Sequence, residues 1–188
     1  EERQKHGAAG FYNSALLRAS AGETSAAIED LQRALERDPL FAPAYVNLAD
    51  LERQRGRDAE GERVLREGID RLPEDASLRY ALALNLVRAG RRTEATEELA
   101  AAAALAADEP LYGYAHALAV AADEPQAATG MLERVAGRFP AYRPALFALA
   151  TLHRDAGRFD EARAAAERIL AMAPGDPGAQ ALLTELAP

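Results

Sequence analysis

Glycine and proline recur in this chain at one interval. Gly22, Gly56 and Gly90 are each 34 residues apart, and Gly157 follows Gly90 by 67, one short of two intervals. Pro39 and Pro73 are 34 apart, as are Pro140 and Pro174, while Pro73 to Pro140 is again 67. Two residue types with different backbone roles share one period and one single-residue slip, so the chain is an array of repeated units. A unit this short cannot bury an apolar face alone and must stack on its copies. Five periods of 34 and a remainder of 18 account for the 188 residues.

Within each period the pattern is helical. In residues 143–176 an apolar run from Ala145 to Leu152 leads to Ala156-Gly157-Arg158, then Phe159 to Met172, then Ala173-Pro174. The glycine suits a left-handed helix C-cap, and proline cannot continue a helix interior. Each unit therefore reads as two antiparallel helices of roughly 12–14 residues joined by a tight turn. Composition agrees, since 46 of the 188 residues are Ala, aromatics are 6%, and Trp and Cys are absent. Helices favour Ala and Leu, whereas strands want β-branched and aromatic residues. A β sandwich or a doubly wound sheet is excluded.

The slots of this period resemble those of the tetratricopeptide repeat (TPR) family. In residues 8–41 they hold Phe11, Ser14, Ala15, Gly22, Ala27, Ala34 and Pro39; in 42–75 they hold Tyr45, Leu48, Ala49, Gly56, Gly61, Gly68 and Pro73. Residues 143–176 match with Leu146, Leu149, Ala150, Gly157, Ala162, Ile169 and Pro174. Units 76–108 and 109–142 are degenerate, with Ala107 in place of the closing proline and Asp123 in place of the turn glycine. The resemblance implies an all-α, right-handed superhelical solenoid of about five helix-turn-helix repeats over 8–176. Residues 1–7 form an extension, and 177–188 a capping helix and tail. Gly61 and Gly68 keep close helix crossings small, at a cost of about 1 kcal/mol each against Ala. The alanine-rich second helix of the third unit, the missing proline and the slip make residues 100–126 the expected weak joint.

In a stacked array of this kind the first helix of each hairpin lines the concave side. At about 100° per residue, the second, fifth, ninth and twelfth places form one stripe. The fifth places hold Tyr12, Val46, Tyr80, Gly113 and Phe147, and the ninth Leu16, Asp50, Leu84, Ala117 and Thr151. The twelfth include Arg53 and Arg154, and Asn13, Asn47 and Tyr114 fill the neighbouring sixth. The candidate partner-binding surface is thus apolar and aromatic with a few polar anchors. Single members of the stripe can equally be packing between adjacent hairpins; as a stripe they favour an interaction surface. The TPR subgroup that clamps C-terminal carboxylates wants Lys, Asn and Arg where this chain has Tyr12, Leu16, Asn47, Ser77 and Ala81. Asn47 alone agrees, so a peptide or helix with apolar side chains is the expected ligand.

The net charge is −8, with 30 acids against 22 bases, and no basic stripe offers itself to nucleic acid. No apolar run approaches the length of a membrane span. Without Cys there is no disulfide, thiolate zinc site or covalent haem attachment in this segment. Nucleotide-binding, nucleophile-elbow and H-E-x-x-H motifs are missing. His6, His116 and His153 lie in separate units, and acidic pairs such as Glu97-Glu98 read as solvated helix surface. No catalytic residue, metal or cofactor is expected.

The leading reading is a non-catalytic scaffold for a protein or peptide ligand. A second is a domain appended to a larger bacterial protein. The run from Phe41 to Asp50, with Tyr80 to Arg88, resembles TPR segments that follow multi-haem c-type cytochromes, which implies a periplasmic setting. A third is a homo-oligomer, with Ala181, Leu182, Leu183 and Leu186 of the closing helix exposed at an edge. The chain opens without an initiator Met and without a signal peptide's apolar centre, as expected of a partial or processed chain. Bacterial cytoplasm and periplasm both remain open.

Overall fold

The computed structural model describes residues 2–186, with side chains from residue 7 onward. Every regular element among them is an α-helix: α1(Glu2–Ser20), α2(Thr24–Arg37), α3(Ala42–Gln54), α4(Asp58–Arg71), α5(Ala76–Arg88), α6(Arg92–Leu105), α7(Pro110–Val120), α8(Pro125–Arg138), α9(Arg143–Asp155), α10(Phe159–Met172) and α11(Pro177–Glu185). Helices α1–α10 pair in sequence into five hairpins, and α11 closes the series. The chain is therefore an all-α helical-repeat protein. It divides into two compact units, one ending at Leu105 and the other beginning at Ala106. Residues 2–7 continue α1 without a break.

Four hairpin turns use the spaced glycines as the sequence predicts. Gly56 has a φ of +72°, open to glycine at no steric cost. Its N–H donates to the Arg53 carbonyl at 2.8 Å, and the Arg57 N–H donates to the Glu52 carbonyl at 2.9 Å. That pair of bonds satisfies carbonyls left over at the end of α3. Gly22, Gly90 and Gly157 make the same turn. The α7–α8 turn differs. Here α7 stops after 11 residues, and the Glu124 N–H reaches the Val120 carbonyl instead. Among the described residues, none other than glycine has a positive φ.

The short interval can now be placed. Ala42 to Asp58, Ala76 to Arg92 and Arg143 to Phe159 are each 16 residues apart, whereas Pro110 to Pro125 is 15. The missing residue belongs to α7 and its turn, whereas the expected repeat bounds, 76–108 and 109–142, put the shortening in the third unit. The link that lacks proline keeps its turn, because the Glu109 N–H donates to the Ala106 carbonyl at 3.0 Å. Asp75 does the same to Leu72, and Tyr142 to Phe139. Proline presets this turn without being required for it.

In the first unit, Ala27, Leu31 and Ala34 of α2, Tyr45 and Leu48 of α3, and Val64 and Leu65 of α4 are buried. Leu78, Leu82 and Leu86 of α5 continue the core. On α6 the buried residues are Ala95, Leu99 and Ala102, so one leucine is its large anchor. Asp30 is buried too, held by the Ser14 hydroxyl at 2.7 Å and by Arg18 at 3.1 Å. In the second unit Leu132, Leu146, Leu149, Ile169 and Leu182 form the core. Leu182 and Leu186 turn inward, at 4% and 7% exposure, so the closing helix does not present them as an edge.

Candidate partner-binding face

Tyr12, Asn13 and Leu16 of α1, Val46, Asn47, Asp50 and Arg53 of α3, and Tyr80 and Leu84 of α5 lie on the first helices of the first unit. Leu16 and Leu84 are exposed at 42% and 39%, as a surface stripe requires. Asn13 and Asp50 are also exposed, while Tyr12, Val46, Asn47, Arg53 and Tyr80 are half-buried. The Tyr12 ring stands edge-on to Phe41, 5.1 Å between centroids. Its hydroxyl accepts from Asn47 Nδ2 at 3.1 Å, and the same amide donates to the Pro43 carbonyl at 2.9 Å. Asn47 therefore ties α3 to α1 through its nitrogen. The two charged anchors engage each other: Arg53 meets Asp50 at 2.7 Å, and Gln54 adds a third donor.

A pocket of about 230 Å³ opens between α3 and α5 on this face. Val46, Asn47, Asp50 and Leu84 of the stripe are among its lining residues. Ala81, Asn85 and Arg88 line it as well, and the sequence reading missed them. Asn85 is 3% exposed and donates to the Asp58 carbonyl at 3.3 Å. Its signal in the sequence was an amide at a place where other hairpins carry Leu17, Leu51 and Leu152.

In the second unit the register of the fourth hairpin is one residue off the predicted one. Ala117 is fully buried and takes the small-residue place of Ala83 and Ala150. Gly113, expected on the stripe, faces inward: a Cβ there would meet Val135 Cγ2 at 2.9 Å. Tyr114 and Leu118 occupy the fifth and ninth places instead, and Leu118 is 44% exposed. Tyr114 packs edge-on to Tyr142 at 5.8 Å.

Of the other predicted residues of this unit, Phe147 and Arg154 are engaged by α11. Arg143 lies over the Phe147 ring at 5.4 Å and forks onto Asp176, with Nη2 to Oδ1 at 2.9 Å. Those bonds, with the Ala179 N–H that Asp176 caps, hold its carboxyl down to about 2. Gly178 passes so near that a Cβ would sit 3.0 Å from Phe147 Cε2. Arg154 pairs with Glu185 at 3.0 Å, and Thr151 donates to the Phe147 carbonyl.

His153 is buried, with Nδ1 lacking a hydrogen bond, and burial then the Arg158 charge lower its proton affinity. Burial does the same to His116. The His6 side chain lies outside the described residues. Among the described residues no group of three or more His, Cys, Asp or Glu could hold a metal ion. None of the described helices is long and apolar enough to cross a membrane.

No curated protein matches the sequence. Solved structures share the fold. The chain overlays Pseudomonas aeruginosa pilF with a TM-score of 0.80 at 18% identity, over 98% of this chain and 84% of that one. YrrB, a TPR protein with an unusual peptide-binding site, gives 0.69 at 18% identity, over 93% and 90%. A tetratricopeptide repeat protein from Parabacteroides merdae gives 0.76 at 14%, over 96% and 72%. The tetratricopeptide repeat family model matches residues 18–84 and 119–186, most of the chain. With its 34-residue hairpins and glycine turns, the chain belongs to the tetratricopeptide repeat family.

Proposed function

We propose that the protein is a non-catalytic scaffold whose first unit binds a partner peptide or helix on the face of α1, α3 and α5. The observation that carries this reading is the pocket between α3 and α5. It combines apolar walls at Val46 and Leu84 with the Asn47 amide, whose nitrogen is already committed to Tyr12 and Pro43. The Asn47 carbonyl oxygen is thereby oriented, and a partner backbone N–H is what it would accept. An apolar partner side chain fills the pocket while Tyr12 and Tyr80 supply rigid contact area. YrrB, the structural relative with a peptide-binding site, supports the class of ligand. Tyr114 and Leu118 give the second unit a smaller surface of similar character.

Selection from a random peptide library against the purified protein tests this. Enriched sequences should carry apolar or aromatic side chains at helical or alternating spacing, and Leu84→Asp should abolish their binding. Failure to enrich any sequence, or full binding to Leu84→Asp, contradicts the reading.

A further inference from the structure

Asn85 departs from the repeat it belongs to. The same place in the first, second and fifth hairpins holds Leu17, Leu51 and Leu152. Packing there needs no amide, since Leu51 is 6% exposed and Asn85 3%. The Asn85 amide does reach back to α4, where Nδ2 donates to the Asp58 carbonyl. That bond is long, at 3.3 Å, and Asp58 opens α4, so the helix's own bonding pattern already uses its carbonyl.

A buried amide is well tolerated when both its ends are paired. The Asn85 oxygen accepts no hydrogen bond from any described residue, and the side chain lines the pocket between α3 and α5. Because the Asp58 carbonyl can only accept, the nitrogen is fixed toward α4 and the oxygen is the end left over. Asn47 on α3 is set the same way, with its nitrogen held by Tyr12 and Pro43. Arg88 lines the same pocket, without a hydrogen-bond or ion-pair partner among the described residues. A cation in the last turn of α5 needs no ligand to explain it. A buried amide oxygen at a leucine place does.

A main chain in extended conformation supplies what these groups lack. Its N–H groups donate to the Asn47 and Asn85 oxygens, and its carbonyls accept from Arg88. A helix spends the same groups on its own bonds, except in its first and last turns. We infer that Asn85 is a specificity-determining residue of the apolar face, selecting a partner segment in extended conformation over a helix. The inference rests on the binding face proposed above and narrows its ligand. Alternate side chains of the segment enter between Val46 and Leu84, while Asn85 holds the backbone beside them.

Two display libraries with the same apolar and aromatic residues at their randomised positions test it against the full chain. One is linear between Gly-Ser flanks, and the other is fixed on the outer face of a helical scaffold. The linear library should enrich. In a synthetic copy of its enriched peptide, N-methylation of single backbone amides should weaken binding about tenfold at the positions that meet a buried acceptor. Asn85→Leu, which copies Leu51, should stay folded by circular dichroism and weaken the unmethylated peptide by a similar factor. At one of those positions N-methylation should cost nothing further in Asn85→Leu, because the bond it removes is already gone. Equal or better enrichment from the helical library overturns the inference and leaves the apolar face standing. So does folded Asn85→Leu that binds as tightly as the parent, or that shows the full cost of N-methylation at every position. Enrichment from neither library overturns the inference and the apolar face together.

Discussion

Gly68 of α4 lies against the ring of Tyr45 on α3, so close that a Cβ on Gly68 would stand 2.9 Å from Tyr45 Cγ and 3.2 Å from the Leu78 methyls. Tyr45 is 1% exposed and its hydroxyl donates to the Pro39 carbonyl, so the ring has nowhere to move. Helix propensity alone would favour Ala here by about 1 kcal/mol. Overpacking costs about 1–3 kcal/mol and wins. Net of that gain, Gly68→Ala should lower stability by up to about 2 kcal/mol in denaturant unfolding. A gain in stability would show that the close approach is looser than described. Gly61 is similar, with the Ala49 carbonyl oxygen 3.0 Å from its added Cβ.

Glycines without such neighbours separate backbone conformation from space. Gly157 has open surroundings but a φ of +72°, whereas Gly137 is helical, exposed and equally open. Gly157→Ala should destabilise by about 1 kcal/mol or more, because an L side chain is strained there. Gly137→Ala should stabilise by up to about 1 kcal/mol. Thermal unfolding of the two variants should move in opposite directions; shifts of the same sign would contradict the turn assignment.

Residues 100–126 should exchange their amide hydrogens fastest outside the chain ends. Leu99 is the large anchor of α6, and α7 is short, with Ala117 its buried residue. The α7–α8 turn also lacks the paired carbonyl bonds of the glycine turns. Few buried apolar contacts mean a low local opening free energy. Protection there as high as in α3 or α9 would refute this.

Acid should weaken the protein before its carboxylates titrate. Burial, then the Arg158 charge, depress the proton affinity of His153 against the opposing pull of Glu161 and Glu133, and burial depresses that of His116. The unfolded chain takes up these protons near pH 6.5, the folded chain only at lower pH. Stability is therefore full above about pH 6.5 and declines as pH falls below it. The Tm should drop by a few degrees from pH 7 to 5, and His153→Gln should flatten that slope. A level Tm over this range in the parent protein would count against buried, neutral histidines.

The repeat was legible because glycine and proline punctuate it for separate physical reasons. Gly56 and Pro73 are tied to turn geometry, so their spacing reports the hairpin whatever else varies. Where both marks fail, between Gly90 and Pro140, the reading slipped by a residue. It set Gly113 on the stripe and Tyr114 beside it, while burial of Ala117 shows Tyr114 and Leu118 facing out. The Leu182 and Leu186 error has another cause: a closing helix shows which residues are apolar but not which way they turn. The burial of Glu52, 4% exposed, was invisible for a third reason. Glutamate on a helix reads as solvated until its burial is measured.

Backbone amide NMR of the first unit's resonances, recorded on the full chain during titration with a library-selected apolar peptide, tests the central claim most directly. Shifts should concentrate at Tyr12, Val46, Asn47, Ala81, Leu84 and Asn85. Shifts that instead follow α2 and α4, or that leave α3 and α5 unmoved at saturation, would contradict an apolar binding face on the first helices.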